Sequence, residues 1–349
     1  MWRIRSSVIG MALVLVVAGA PSSVAAASRP LEDLTMVTAQ VGWAINRATH
    51  QVMRTTDAGR VWEVVSAPHP AVQVALTSFP SATHAVVVGT RPHPMAAPRG
   101  RLGWWVWSTT NAGRTWSTTF LAGPTRRQYA THYQGYGALA AGTLTWFTPD
   151  QGWLMTVIQG VFCPSDWLYH TANGGRTWRF VDTLPAQSAQ GVVFSTPTTG
   201  WMAWGQCDYG QAPVLDETRD GGTTWRPVAL KRPPIVPAAR NPRVGYNPQA
   251  IGLPRFATSQ VGAVLTMYGG LSQNGQRVLP EFFVVYVTTD GGAHWHWTVV
   301  SRIRLVGGLS PLDRVMEPTL LRWRRSGTTW LLVVLNQYHD VIAEWPVSG

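Results

Sequence analysis

Past residue 27 the chain alternates apolar and polar residues with a period of two and shows little of the 3.6-residue period of a helix. Successive side chains of a strand point to opposite faces, so this alternation predicts strands with one face buried. Read in order, it predicts a first group of strands at 34–38, 43–46, 51–55 and 61–66. Further groups fall within 72–121, 143–182, 192–230 and 254–302, and three more strands at 319–322, 329–336 and 341–347. The breaks are rich in Gly, Pro, Asn and Asp, residues that make turns. The pattern predicts an all-β chain of repeated antiparallel groups.

One turn recurs five times: TTDAGRVW at 55–62, TTNAGRTW at 109–116, TANGGRTW at 171–178, TRDGGTTW at 218–225 and TTDGGAHW at 288–295. Its Asx position is Asp57, Asn111, Asn173, Asp220 and Asp290, and its last residue is Trp62, Trp116, Trp178, Trp225 and Trp295. The steps between Asx positions are 54, 62, 47 and 70 residues, a period of blade-sized units with loop insertions. A short Asx side chain accepts hydrogen bonds from N–H groups just downstream, and Gly supplies the positive φ of a tight hairpin. The Trp packs against a neighbouring sheet, which is worth on the order of 4–6 kcal/mol gross per ring. Asn keeps the acceptor oxygen and loses the charge, so the turn has a structural job and neither a metal nor an acid–base one.

These residues resemble the Asp-box, or bacterial neuraminidase repeat, S/T-x-D-x-G-x-T-W. The resemblance implies that each box joins the third and fourth strands of a β-propeller blade, and the six strand groups, over about 320 residues past the opening segment, suit one six-bladed ring. A second motif, Gly42-Trp43, Gly152-Trp153 and Gly200-Trp201, with Gly262-Ala263 as a degenerate form, opens the second strand of a blade. An aromatic precedes it, as Phe147, Phe194 and Phe256. Together the motifs are similar to the photosystem II assembly and stability factor family. That likeness implies blade construction and says little about ligand.

The opening residues carry Arg3 and Arg5, an apolar run of 13 residues from Val8 to Ala20, then Pro21 and Ala25-Ala26-Ala27. This is the three-part pattern of a secretory signal cut after Ala27. The run is shorter than the roughly 18 residues of a spanning helix. The expectation is one exported propeller domain at 28–349, in the cell envelope or outside the cell, monomeric, and touching a membrane only through an uncleaved signal. Export also permits a disulfide, and Cys163 and Cys207 fall in the same connection of adjacent blades, so they are expected to bridge.

The net charge is +11, and of 28 basic residues only Lys231 is lysine. Loss of Arg3 and Arg5 with the signal leaves +9. A basic excess favours anionic partners, and for an exported chain those are proteins, glycans or wall polymers of the envelope rather than nucleic acid. Long insertions gather the cations on the face opposite the boxes. One carries Arg126, Arg127, Tyr129, Tyr133 and Tyr136; another carries Lys231, Arg232, Arg240, Arg243 and Tyr246. A guanidinium offers a planar fork to carboxylate or phosphate, and a phenol stacks and hydrogen-bonds.

Enzymatic readings rest on less. Sialidases share the box and use an Arg cluster with a Tyr nucleophile, but their Arg-Ile-Pro signature is missing before the first box. Asp166, Asp208, Asp216 and Glu217 are the acidic residues grouped in adjacent loops. GYGALA at 135–140 matches a dinucleotide fingerprint by letters without its strand–helix unit, and His294 with His296 has no third ligand. No cofactor, metal or catalytic set is expected. The reading is a non-catalytic binding or assembly scaffold for an anionic partner; the alternative is a sialidase-like hydrolase of acidic glycans.

Overall fold

A computed structural model of the chain describes residues 31–46, 48–66, 73–90, 101–125, 139–158, 165–187, 189–204, 215–237, 248–250, 252–271, 278–303, 318–336 and 338–347. Among the described residues there are strands and turns and no helix. Sheet 1 is β1 (Leu31–Met36), β2 (Gly42–Asn46), β3 (Val52–Thr55) and β4 (Glu63–Ser66). Sheet 2 is β5 (Gln73–Ser78), β6 (Ala85–Thr90), β7 (Arg101–Thr109) and β8 (Ser117–Thr125). Sheet 3 is β9 (Leu139–Trp146), β10 (Gly152–Ile158), β11 (Ser165–Thr171) and β12 (Arg179–Gln187). Sheet 4 is β13 (Ala189–Phe194), β14 (Gly200–Trp204), β15 (Leu215–Thr218) and β16 (Arg226–Pro227). Sheet 5 splits its first strand into β17 (Pro248–Ala250) and β18 (Arg255–Phe256), followed by β19 (Gly262–Leu271), β20 (Val278–Thr288) and β21 (His296–Ile303). Sheet 6 has three strands, β22 (Pro318–Ser326), β23 (Thr329–Asn336) and β24 (Val341–Val347).

Each sheet is an antiparallel meander, and each lays a face on the next in chain order through a buried apolar cluster. The fold is an all-β propeller. The predicted bounds shift at strand starts, where no side-chain period marks the first residue. Sheet 1 begins at Leu31 instead of 34, sheet 3 at Leu139 instead of 143, and Pro248–Ala250 precedes the expected start of sheet 5.

Two packing rules hold the sheets together, and both come from the second motif. The glycine that opens the second strand makes room for an aromatic six residues upstream. A Cβ on Gly152, Gly200 or Gly262 would lie within 2.4–2.7 Å of the ring of Trp146, Phe194 or Phe256. In sheet 3 that ring is Trp146; Phe147, the aromatic nearer to Gly152 in sequence, is exposed. The Trp after the glycine then stacks on the corresponding ring of the next sheet. Trp153 lies on Phe194 at 3.8 Å and 8°, Trp201 on Phe256 at 4.2 Å and 24°, and Trp43 on Phe79 at 5.8 Å and 3°. The turn Trp meets the same ring edge-on, as Trp225 does at Phe194 and Trp295 at Phe256.

Two seams depart from this scheme. Between sheets 2 and 3, His84 sits edge-on to Trp146 at 4.5 Å, and its Nε2 is 3.1 Å from the Gly174 carbonyl. A carbonyl only accepts, so this nitrogen carries the proton and donates, as the Trp153 Nε1 donates to the matching Gly221 carbonyl across the following seam at 3.4 Å. Between sheets 5 and 6, Ala263 stands where a Trp would reach across. Trp323 of β22 packs there from the opposite side and donates its Nε1 to the Arg255 carbonyl at 2.8 Å.

Candidate functional site

Antiparallel order puts the turns after the first and third strands of a sheet at one end of the propeller. At that end all five repeated turns share one set of bonds. The Thr hydroxyl donates to the Asx Oδ1 at 2.7–3.1 Å and accepts the N–H of the Gly two residues past the Asx at 2.8–3.0 Å. The Asx Oδ1 also accepts the N–H four residues on, at 2.8–3.0 Å. The residue after the Asx donates its N–H to the neighbouring first turn of the same sheet, for example Gly221 to Thr198 and Gly291 to Gln260. Asp and Asn differ only at the outer atom. Asn111 and Asn173 donate Nδ2 to Thr115 and Thr177 at 2.8 Å, whereas Asp220 Oδ2 accepts the Thr224 hydroxyl at 2.6 Å. The Thr224 hydroxyl, then the local N–H donors, bring Asp220 down to about 2, and the His294 N–H leads the same effect at Asp290. These atoms are committed to the turn.

The second-to-third-strand loops and the connections between sheets lie at the other end. Arg126, Arg127, Tyr129, Tyr133, Tyr136, Arg240, Arg243, Tyr246, Cys163, Cys207 and Asp208 lie outside the described residues. Lys231 and Arg232 are described. They follow β16 in the segment 228–237, where a full fourth strand of sheet 4 would run, and both side chains are exposed. The backbone beneath them is fixed. Val236 is buried between sheets 4 and 5, its N–H bonds the Pro233 carbonyl at 3.0 Å, and Arg232 Nη1 donates to the Pro237 carbonyl at 3.3 Å.

Below this segment, Tyr286 donates its hydroxyl to the Lys231 carbonyl at 3.1 Å and lies 2.6 Å from the Tyr268 hydroxyl. Tyr169 hooks the Ala122 carbonyl of sheet 2 in the same way at 3.2 Å. Both hooks stand two residues before the Thr of a repeated turn, a match that aligning the repeats would have revealed. Burial raises Tyr286 and Tyr169 far above an ordinary phenol, and the neighbouring Tyr268 hydroxyl adds to the rise at Tyr286. Both stay neutral hydrogen-bond donors, the reverse of what a nucleophilic tyrosine needs.

The acidic residues grouped by sequence do not share an open cleft. Asp166 is fully buried and accepts the Ala189 N–H at 2.7 Å, with its other oxygen unpartnered among the described residues. Burial pushes it up to about 7, against the pull of that hydrogen bond. Asp216 is 3% exposed, at the position held by Tyr169 and Tyr286 in sheets 3 and 5. Glu217 points toward sheet 5 by strand alternation and pairs with Arg219 at 2.9 Å. No group of three metal-ligating side chains occurs among the described residues.

Comparison with known proteins found no matching family model and no matching curated protein. Among solved structures, YCF48 bound to a D1 peptide matches at 12% identity and a TM-score of 0.39, over 88% of this chain and 91% of that one. The GH74 xyloglucanase from Xanthomonas campestris matches at 14% identity and 0.46, over 89% of this chain and 44% of the enzyme. A fungal lectin from Aleuria aurantia, a six-bladed propeller, matches at 12% identity and 0.36, over 88% and 87%. The chain thus spans less than half of the xyloglucanase. What these proteins bind or cleave belongs to them.

Proposed function

We propose that this chain is a non-catalytic binding scaffold, exported to the cell envelope or beyond, that captures an anionic partner on the end of the propeller opposite the repeated turns. The observation that carries this reading is the segment 228–237. Its backbone is fixed by Val236, Pro237 and the Tyr286 hook, and it holds Lys231 and Arg232 outward in water. Two cations on a fixed backbone lose little freedom on meeting a carboxylate or phosphate, so their attraction is not offset by loop ordering. The arginines and tyrosines of the 126–136 and 240–246 stretches extend the same chemistry in sequence.

The rest of the reading follows the repeats. We take the five turns as Asp-boxes and the six sheets as the blades of one ring, with a cleaved signal at 1–27 and a Cys163–Cys207 bridge. Burial of Asp166 and Asp216 between sheets 3 and 4 favours the scaffold over the hydrolase, which needs two carboxylates facing one substrate. The test is binding of residues 28–349 to poly-glutamate and to the envelope fraction of the cell of origin. Saturable binding that K231E/R232E weakens about tenfold, with the melting temperature unchanged, supports the reading; binding indifferent to those charges rejects it.

A further inference from the structure

Every sheet of a propeller ends at the rim in a strand whose outward N–H and C=O groups can recruit a foreign strand. Among the described residues, five of the six rim strands are blunted. β8, β12, β16 and β24 contain Pro124, Pro185, Pro227 and Pro346. Proline has no N–H to offer a pairing strand. β4 is four residues long. β21 is the exception: eight residues, HWTVVSRI, without proline, and among the described residues paired with β20 alone. Beside it, sheet 6 has three strands, so no fourth strand flanks β21 on that side among the described residues. His296 is exposed, and Trp297 is exposed to 37%.

We infer that β21 is a docking edge that takes an extended acidic segment of a partner polypeptide as an added strand of sheet 5. Backbone hydrogen bonds would supply the affinity, and the side chains that alternate along the edge would supply the preference. Charge decides the occupant. β21 holds Arg302 and no acidic residue, in a chain of net charge +11 with histidines neutral. A second copy would bring one basic chain against another, whereas an acidic strand brings the opposite charge. Lys231 is a neighbour of this edge, since Tyr286, which bonds its carbonyl, pairs across the ladder with Trp297; strand addition is told apart from anion capture by its need for backbone hydrogen bonds along β21.

The test uses the full exported chain and a labelled peptide, Glu-Val-Thr-Val-Glu-Val-Thr-Val-Glu. Two controls accompany it: a lysine-for-glutamate copy, and a copy N-methylated at alternate residues along one edge. The expected result is saturable binding by fluorescence anisotropy with quenching of tryptophan emission, at least tenfold weaker for the lysine copy and for the N-methylated one. In the chain, T298P and V299P are compared, because only one of these adjacent N–H groups faces outward; that variant keeps its fold and loses binding. If both unfold, the N-methylated peptide still decides the matter. The inference is overturned by absent binding or by equal binding of the N-methylated peptide. It is equally overturned by a dimer that the proline variant dissociates.

Discussion

The two ends of the propeller follow opposite rules. At one end five turns repeat the same Thr–Asx–Gly bonds to within a few tenths of an ångström, and the Asx Oδ1 of each is used by its own turn. The connections assigned to the other end differ in length and composition, and of their cations the described pair, Lys231 and Arg232, is exposed. Repetition marks the end whose work is construction, and irregularity marks the end free to carry a site. The seams show the same contrast on a smaller scale. Three of them use a Trp stacked on the next sheet's ring, and two reach a filled core by another route, through His84 and through Trp323.

The contrast can be broken at several strengths. The largest effect belongs to the stacked seams: W153A removes a buried ring lying 3.8 Å from Phe194, and should cost about 3–5 kcal/mol in denaturant unfolding. W323A, in a seam filled from the other side and less deeply buried, should cost less than W153A; an equal or larger loss would show that the two seams are not interchangeable. Asp166 comes next. The folded chain holds its proton to about 7, whereas an unfolded aspartate ionises near 4. Between those values the folded state binds more protons, so stability falls as pH rises and levels off above 7. D166N should abolish that slope and raise stability at pH 8 by about 1–3 kcal/mol, because a neutral amide replaces a buried charge.

The turns should answer more gently. D220A deprives the Thr218, Thr223 and Thr224 donors of their acceptor and should cost about 1–2 kcal/mol, whereas D220N, which keeps Oδ1, should stay within about 0.5 kcal/mol. Equal losses would show that charge, not the acceptor oxygen, holds the turn. His84 gives a slope of opposite sign to Asp166. Burial lowers it, so below about 6.5 the unfolded chain takes up a proton that the folded chain refuses, and stability falls as pH falls. H84Q, whose amide can still donate to Gly174, should flatten that acid limb in a melting series from pH 7 to 5.

Much of this was legible beforehand because the governing interactions are local. The repeated Thr–x–Asx–x–Gly spacing placed all five turns, since each is closed by bonds that reach no more than four residues along the chain. Glycine before Trp marked the second strands, because the ring that the glycine admits lies only six residues upstream. What lay beyond sequence was the partner across a seam. Nothing next to Ala263 announces Trp323, and nothing near Asp166 reveals that its strand carries it into the face of sheet 4. Sequence shows only that aromatics precede Gly152, as Trp146 and Phe147; the pleat puts Trp146 over the glycine, because Trp146 is its cross-strand partner. Of the proposed anion-binding residues only Lys231 and Arg232 fall within the described segments, and it was the Tyr286 hook, invisible without the fold, that gave them a fixed position.

The central claim is that the irregular end binds an anionic partner through its cations, and a salt series tests it most directly. Residues 28–349 and K231E/R232E would be applied to the envelope fraction of the cell of origin at rising ionic strength, with the retained material identified. The account predicts retention at low salt, release as salt rises, and earlier release of the variant at an unchanged melting temperature. Retention indifferent to salt and to both substitutions, or shortening of a retained glycan, would contradict it.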